Sequence, residues 1–264
     1  MTDPRNARVV AAAKALGWAV KPVLRAKEGS GGKHAFGTAF VVELEGQYAA
    51  VTAAHVIDGP ETKYIGISSS SMTPWPKSTA RIRALRDGLA DPDIVCGRFT
   101  LLPTDHEGAR DAVQLSNSMP DYVPGLGMTL LAVGNPVSRG KFRHSEGKHR
   151  AETVYLTGDA VPLAEYEKLQ LDPRVHIALH YTRDSMKGPD GSSALGPMPP
   201  GLSGGPIFLL TEKPNGDVVL LLVGIMTSYR PGPPELIIGT HVIALLDHLT
   251  PFRPRSDRLF GLPG

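Results

Sequence analysis

Cysteine is almost missing from this sequence: Cys96 stands alone among 264 residues. One thiol cannot close an internal disulfide, so the disulfide-stapled class of secreted domains is excluded and the fold must rest on packing. Aromatic residues make up only 6% of the chain, which leaves the core mostly aliphatic. The formal net charge of +2 is too small for a nucleic-acid footprint, and no nucleic-acid partner is expected. No apolar run is long enough to span a bilayer, so no membrane partner is expected either. The apolar stretch Val9–Val20 is interrupted by Lys14 and lacks a small-residue cleavage site, unlike a secretory leader. Together these features predict a cytoplasmic protein. His176 and His180 lie four apart on an expected strand with no acidic or cysteine partner, so no metal is expected. Nothing implies an organic cofactor.

The chain is instead rich in turn formers, with 29 Gly and 24 Pro. Many turns around an aliphatic core predict an all-β protein of short strands. Residues 1–20 read as an amphipathic helix or arm, with Val10, Ala13, Leu16 and Val20 on one face. Gly29–Lys33 reads as a turn. Phe36–Leu44 and Gln47–Thr52 form a hairpin, and Ala53–Ile57 one helical turn. Ser68–Lys77 is a Ser/Pro-rich loop, and Ala80–Arg86 and Ile94–Leu102 are strands. Thr104–Met119 is a polar connection. Further strands are expected at Met128–Val133, Glu152–Thr157, Val175–Tyr181, Ile207–Leu210, Val218–Ser228 and Glu235–Gly239, with a long Gly/Pro/Ser loop at Thr182–Pro200. The domain division is an arm at 1–20, β units at 21–115 and 116–240, and a C-terminal helix and tail at 241–264.

Three motifs carry chemistry: Val51-Thr52-Ala53-Ala54-His55, Asp91-Pro92-Asp93-Ile94-Val95 and Gly201-Leu202-Ser203-Gly204-Gly205-Pro206. A serine hydroxyl is a weak nucleophile at neutral pH. It needs a base within hydrogen-bond reach, and that base needs a carboxylate to fix its tautomer. The residues occur here in the order His, Asp, Ser, with His55 and Asp93 in one β unit and Ser203 in the other, which sets a site in an interdomain cleft. Asp91 and Asp93 share one face of a strand, so periodicity alone does not separate them. Asp58, three residues past His55, is a weaker rival.

These motifs resemble those of chymotrypsin-fold (trypsin-like) serine peptidases of an uncharacterised bacterial type. Gly37-Thr38-Ala39-Phe40-Val41 with Val51–Val56 is similar to the strand pair and histidine turn of that family. Asp93-Ile94-Val95 is similar to its aspartate motif, and Gly201–Pro206 to its nucleophile loop. Val223–Ser228 resembles the strand that pairs with substrate backbone. The resemblance implies two six-stranded β-barrels with a C-terminal helix, and a serine endopeptidase acting through an acyl-enzyme on a protein or peptide substrate. It assigns His55, Asp93 and Ser203 as catalytic, with Asp93 preferred because it directly precedes Ile94-Val95. It assigns the Gly201 and Ser203 amides as the oxyanion hole, and Pro197, Met198, Thr227, Ser228 and Tyr229 to substrate binding.

Two departures from the family pattern matter. The family's zymogens carry an acid directly before the serine; here that residue is Leu202. The stretch Ala194–Pro200, expected at the floor of the primary pocket, holds no acid, which predicts an apolar or small residue at the cleavage site. A regulatory protein partner or tight specificity is expected to restrain such an enzyme in the cytoplasm. The basic run Arg139–Arg150 reads as a solvated surface loop. Two other functions fit parts of the sequence. Gly201–Gly205 satisfies G-x-S-x-G, but an α/β-hydrolase needs a strand running straight into the serine and its partners after it. A non-catalytic or partner-gated binding module that keeps the peptidase fold is the remaining alternative.

Overall fold

The computed structural model describes residues 8–9, 11–12, 14, 16, 19–26, 33–44, 47–66, 72–76, 79–82, 93–98, 112–139, 141–143, 148–183 and 196–249. The expected sites at Val10, Ala13, Gly29 and Asp91, the stretches 83–90, 104–111 and 184–195, and the tail from 250 lie outside them.

Two sheets build the molecule. The first contains β1 (Val20–Ala26), β2 (Lys33–Leu44), β3 (Gln47–Ala53), β4 (Lys63–Gly66), β5 (Met72–Pro74), β6 (Thr79–Ile82) and β7 (Ile94–Arg98), in the order β5-β4-β1-β2-β3-β7-β6. The short β8 (Val113–Gln114) pairs with β2 in parallel. The second sheet contains β9 (Thr129–Gly134), β12 (Val154–Asp159), β13 (His176–His180), β14 (Pro206–Glu212), β15 (Val218–Arg230) and β16 (Leu236–His241), in the order β12-β9-β14-β15-β16-β13. Between them in sequence, β10 (Lys141–Arg143) and β11 (Lys148–Arg150) make a separate hairpin.

This is the expected all-β architecture, with differences in detail. The first sheet has eight strands among the described residues against the expected six, because the short β5 and β8 extend it. β5 falls inside the expected Ser/Pro loop. The basic run is a hairpin where a loop was expected. β1 and β4 carry no alternation in sequence. In β1 even Lys21 is buried, so both faces are covered and the period of two is erased.

One core joins the sheets. Phe40, Val42, Val51 and Ile94 of the first sheet pack with Leu131, Val133, Phe208, Leu222 and Ile225 of the second. Val242, Ala244 and Leu245 close it from the C-terminal side, the last two on the helix Ile243–Leu249. Burying these apolar groups together is the main favourable term available to a chain with one cysteine.

His241 anchors that helix. Its ring accepts the Ile243 N–H at Nδ1 (3.2 Å) and donates from Nε2 to the Tyr122 carbonyl (3.1 Å), which defines the neutral tautomer. Burial lowers its pKa below the ordinary value of 6.5, opposed by the Tyr122 carbonyl and by Asp121. His176 is lowered in the same sense, also by burial. The unfolded chain therefore binds protons that the folded chain resists. Their contribution to stability is complete above about pH 6.5 and shrinks as the pH falls below it. Urea denaturation between pH 8 and 5 should show this loss, and His241→Gln should flatten it.

Candidate active site

Strand register brings His55 and Asp93 together. In the ladder between β3 and β7, Ala53 pairs with Ile94 and Thr52 with Val95. One step beyond the ladder, Ala54 must therefore meet Asp93, and the Ala54 N–H donates to the Asp93 carbonyl at 2.8 Å. The chain then turns into the helical turn Ala54–Ile57, which carries His55. The Asp93 carboxylate grips His55 twice. Oδ1 accepts its backbone N–H at 3.0 Å, and Oδ2 lies 2.6 Å from Nδ1. Asp93 has φ of 51°, in the left-handed region that aspartate tolerates better than most residues. The pair stays accessible: 47% of the His55 side chain and 30% of that of Asp93 are exposed. Asp58 ends the helical turn, its N–H bonded to the Ala54 carbonyl.

Ser203 belongs to the second sheet and is held against the first. Its carbonyl accepts the Thr38 N–H from β2 at 2.9 Å. Gly204 follows, with φ of 90°. A Cβ at this position would run into the Thr38 carbonyl and the Thr52 hydroxyl, and would lie 3.0 Å from the Ala53 nitrogen. The Ser203 loop thus touches the strand that leads to His55 two residues later. On its other side, Met226 of β15 pairs with Gly204 and Gly205 through two backbone hydrogen bonds of 2.7 Å.

Accounting for the loop's backbone groups identifies its free donors. The Pro199 carbonyl accepts from Leu202 N–H, Pro200 from Val137 N–H, and Leu202 from Gly205 N–H, at 2.9–3.0 Å. The Gly201 carbonyl accepts the Thr38 hydroxyl at 2.7 Å. Pro199 and Pro200 have no N–H to offer. Among the described residues, the N–H groups of Gly201 and Ser203 are the two in this loop that find no acceptor. Because a peptide's C=O and N–H point in opposite directions, the Val137 bond to the Pro200 carbonyl aims the Gly201 N–H away from Val137. Gly201 has φ of 94° with Asn135 and Val137 close by, so no larger residue fits there.

Beside Ser203 opens a cavity of about 130 Å³ lined by Pro199, Pro200, Leu202, Ser203, Met226, Ser228, Tyr229 and Ile237. Two of the five residues expected at substrate binding, Ser228 and Tyr229, are in its wall. Pro197 stands behind it: its carbonyl accepts the Tyr181 hydroxyl at 2.6 Å, and the Tyr181 ring meets Tyr229 edge-on at 6.2 Å. Burial pushes the Tyr181 pKa up to about 12, so this donor keeps its proton. Met198 is exposed. Thr227 sits at a β-bulge, where the register of β15 against β16 slips between Met226 and Ser228, and it is not among the lining residues. Met226 and Ile237 were not anticipated; adjacency of β15 and β16 was the signal that could have found them.

Among the described residues, no cluster of His, Cys, Asp and Glu is suited to hold a metal. Nor is any helix long and apolar enough to cross a membrane.

No protein-family model matches the chain, and no curated protein matches it. Among solved structures it is similar to neuropsin, a serine protease expressed in the limbic system of mouse brain. The TM-score is 0.50 at 12% identity, over 89% of this chain and 93% of that one. It is also similar to the thermostable serine protease AL20 from an extremophilic microorganism, with a TM-score of 0.49 at 14% identity over 86% and 92% of the two chains. At such identity the likeness is one of fold. The chain has the chymotrypsin-like double-barrel fold that its motifs imply.

The Gly204 contact gives a sharp expectation. Gly204→Ala places a methyl group against backbone that cannot retreat, in a strained conformation, and should cost roughly 3 kcal/mol or more. Gly127→Ala has a similar φ of 76° but open space around it. It should cost only about 1 kcal/mol. Denaturant midpoints of the two variants check this.

Proposed function

We propose that this chain is a serine endopeptidase that cleaves peptide bonds through an acyl-enzyme. The observation that carries the reading is the double grip of Asp93 on His55. With Nδ1–H donated to Oδ2, the neutral imidazole keeps its lone pair on Nε2. That nitrogen is the base that takes the Ser203 proton as Oγ attacks the scissile carbonyl. The same proton is then delivered to the leaving amine, and water repeats the sequence to release the acyl group. The negative oxygen of the tetrahedral intermediate is received by the Gly201 and Ser203 N–H groups, which have no other acceptor among the described residues. Donors already aimed at developing charge need no rearrangement during reaction.

The cavity beside Ser203 supports an apolar or small residue at the cleavage position. Its walls are prolines, Leu202, Met226, Tyr229 and Ile237, with hydroxyls on Ser203, Ser228 and Tyr229 and no carboxylate among them. A lysine or arginine there would lose its hydration without meeting a carboxylate in the lining; Glu235 stands outside it, hydrogen-bonded to the Tyr229 side chain.

A fluorophosphonate probe should label the purified protein at Ser203, mapped by mass spectrometry. Labelling should vanish in Ser203→Ala and His55→Ala, with thermal midpoints kept within a few degrees. Asp93→Asn should lower turnover by about four orders of magnitude by favouring the wrong tautomer. Asp91→Asn should change it little. A folded wild-type protein that stays unlabelled is the result expected of a binding module and rejects the reading. Among model peptides, those with an apolar residue before the scissile bond should be cleaved at least about tenfold faster than those with lysine or arginine.

A further inference from the structure

We propose that Thr38 is a positioning residue that sets the oxyanion loop in its working shape; this rests on the peptidase reading above. Thr38 is fully buried in β2, far in sequence from the loop it serves. Every polar group it has is engaged, and three of its four bonds cross the seam between the sheets. Its N–H donates to the Ser203 carbonyl at 2.9 Å. Its hydroxyl donates to the Gly201 carbonyl at 2.7 Å and accepts the Asn135 N–H at 2.8 Å. Its carbonyl accepts the Thr52 hydroxyl at 2.6 Å.

The geometry explains why this matters for the two free donors. Gly201 is flanked by two peptide planes. The Pro200 carbonyl of the first is held by Val137, and the Gly201 carbonyl of the second by the Thr38 hydroxyl. With both planes fixed, the torsions at Gly201 are fixed, and so is the direction of its N–H. The Ser203–Gly204 plane is held by Thr38 through the Ser203 carbonyl and by Met226 through the Gly204 N–H. The acceptor side of the Thr38 hydroxyl also ties in Asn135, two residues before Val137, so one oxygen connects the two segments that shape the loop. Leu202 adds an apolar anchor: it is 3% exposed, packed in a cluster with Ala132, Ile207 and Met226 and close against Gly134. No charged group takes part in this clamp.

Thr38→Val keeps the shape of the side chain and removes the hydroxyl, leaving the Gly201 carbonyl and Asn135 N–H unpaired. Hydrogen exchange of the Leu202, Gly204 and Gly205 amides should speed up at least about tenfold, while β16 amides stay protected. The rate of fluorophosphonate labelling should fall at least about tenfold, through the rate of phosphonylation with loss of fluoride and not through probe affinity. Thr38→Ser, which keeps the hydroxyl, should restore both. In the wild-type protein the Thr38 hydroxyl proton should exchange slowly enough to be seen by NMR with a cross-peak to Gly201; a hydroxyl in fast exchange with water overturns the proposal even if Thr38→Val does not fold. Unchanged loop exchange in Thr38→Val, or labelling at the wild-type rate, also overturns it and leaves the peptidase reading standing. If the loop loosens in Thr38→Val but wild-type protein is never labelled, the clamp stands and the peptidase reading falls.

Discussion

The site depends on one close approach of backbone to backbone. The Ser203–Gly204 segment lies against β2 and β3 because residue 204 has no side chain to hold them apart. That contact brings the second sheet's serine beside the strand that runs into His55. The register of β3 on β7 then adds Asp93, since Ala53 opposite Ile94 leaves Ala54 facing Asp93. A missing Cβ and a fixed register therefore bring together the segments that carry Ser203, His55 and Asp93. The shared apolar core around Phe40, Phe208 and Leu222 keeps the two sheets at the distance this contact needs.

The loop carrying Ser203 is shaped mainly through its carbonyls. Those of residues 199–203 each have a donor, while two prolines remove competing N–H groups. What remains is a pair of amide donors with nowhere to bond inside the described protein. Their dipoles are oriented before any acceptor arrives. Leu202 fits the same logic. In the family that the motifs resemble, an acid at this position responds to a newly made amine; a leucine buried in the core responds to hydrophobic packing instead.

How much of this was legible in the sequence depended on the range of the interaction. The hairpin of β2 and β3, the helical turn at Ala54 and most strands of the second sheet follow from local alternation and turn residues. β1 and β4 were invisible because burial on both faces, including Lys21 and Lys63, removes the period of two. Motif order pointed to His55, Asp93 and Ser203. The role of Thr38 is not legible within Gly37–Val41, because its partners are Gly201 and Asn135, 163 and 97 residues away. The wall of the cavity was half legible. A bulge displaces Thr227 from the ladder, and no residue type in Met226-Thr227-Ser228 announces a bulge.

Asp93 shows why a strand pattern could not choose between the acids at 91 and 93. The choice is made by a torsion: at φ of 51°, Asp93 has left the strand conformation just before Ile94 enters the ladder. Such a conformation costs a non-glycine residue about 1 kcal/mol or more. Three hydrogen bonds to Ala54 and His55 offset that cost, two of them to the carboxylate. The bend is what lets a single side chain hold both the backbone and the ring of His55. An aspartate kept in regular β conformation would direct its carboxylate along the pleat, perpendicular to the sheet, away from the turn that carries the histidine. Local strain at Asp93 and local order at His55 are thus one feature, and alternation rules, which describe only the regular strand, are silent where the strand ends.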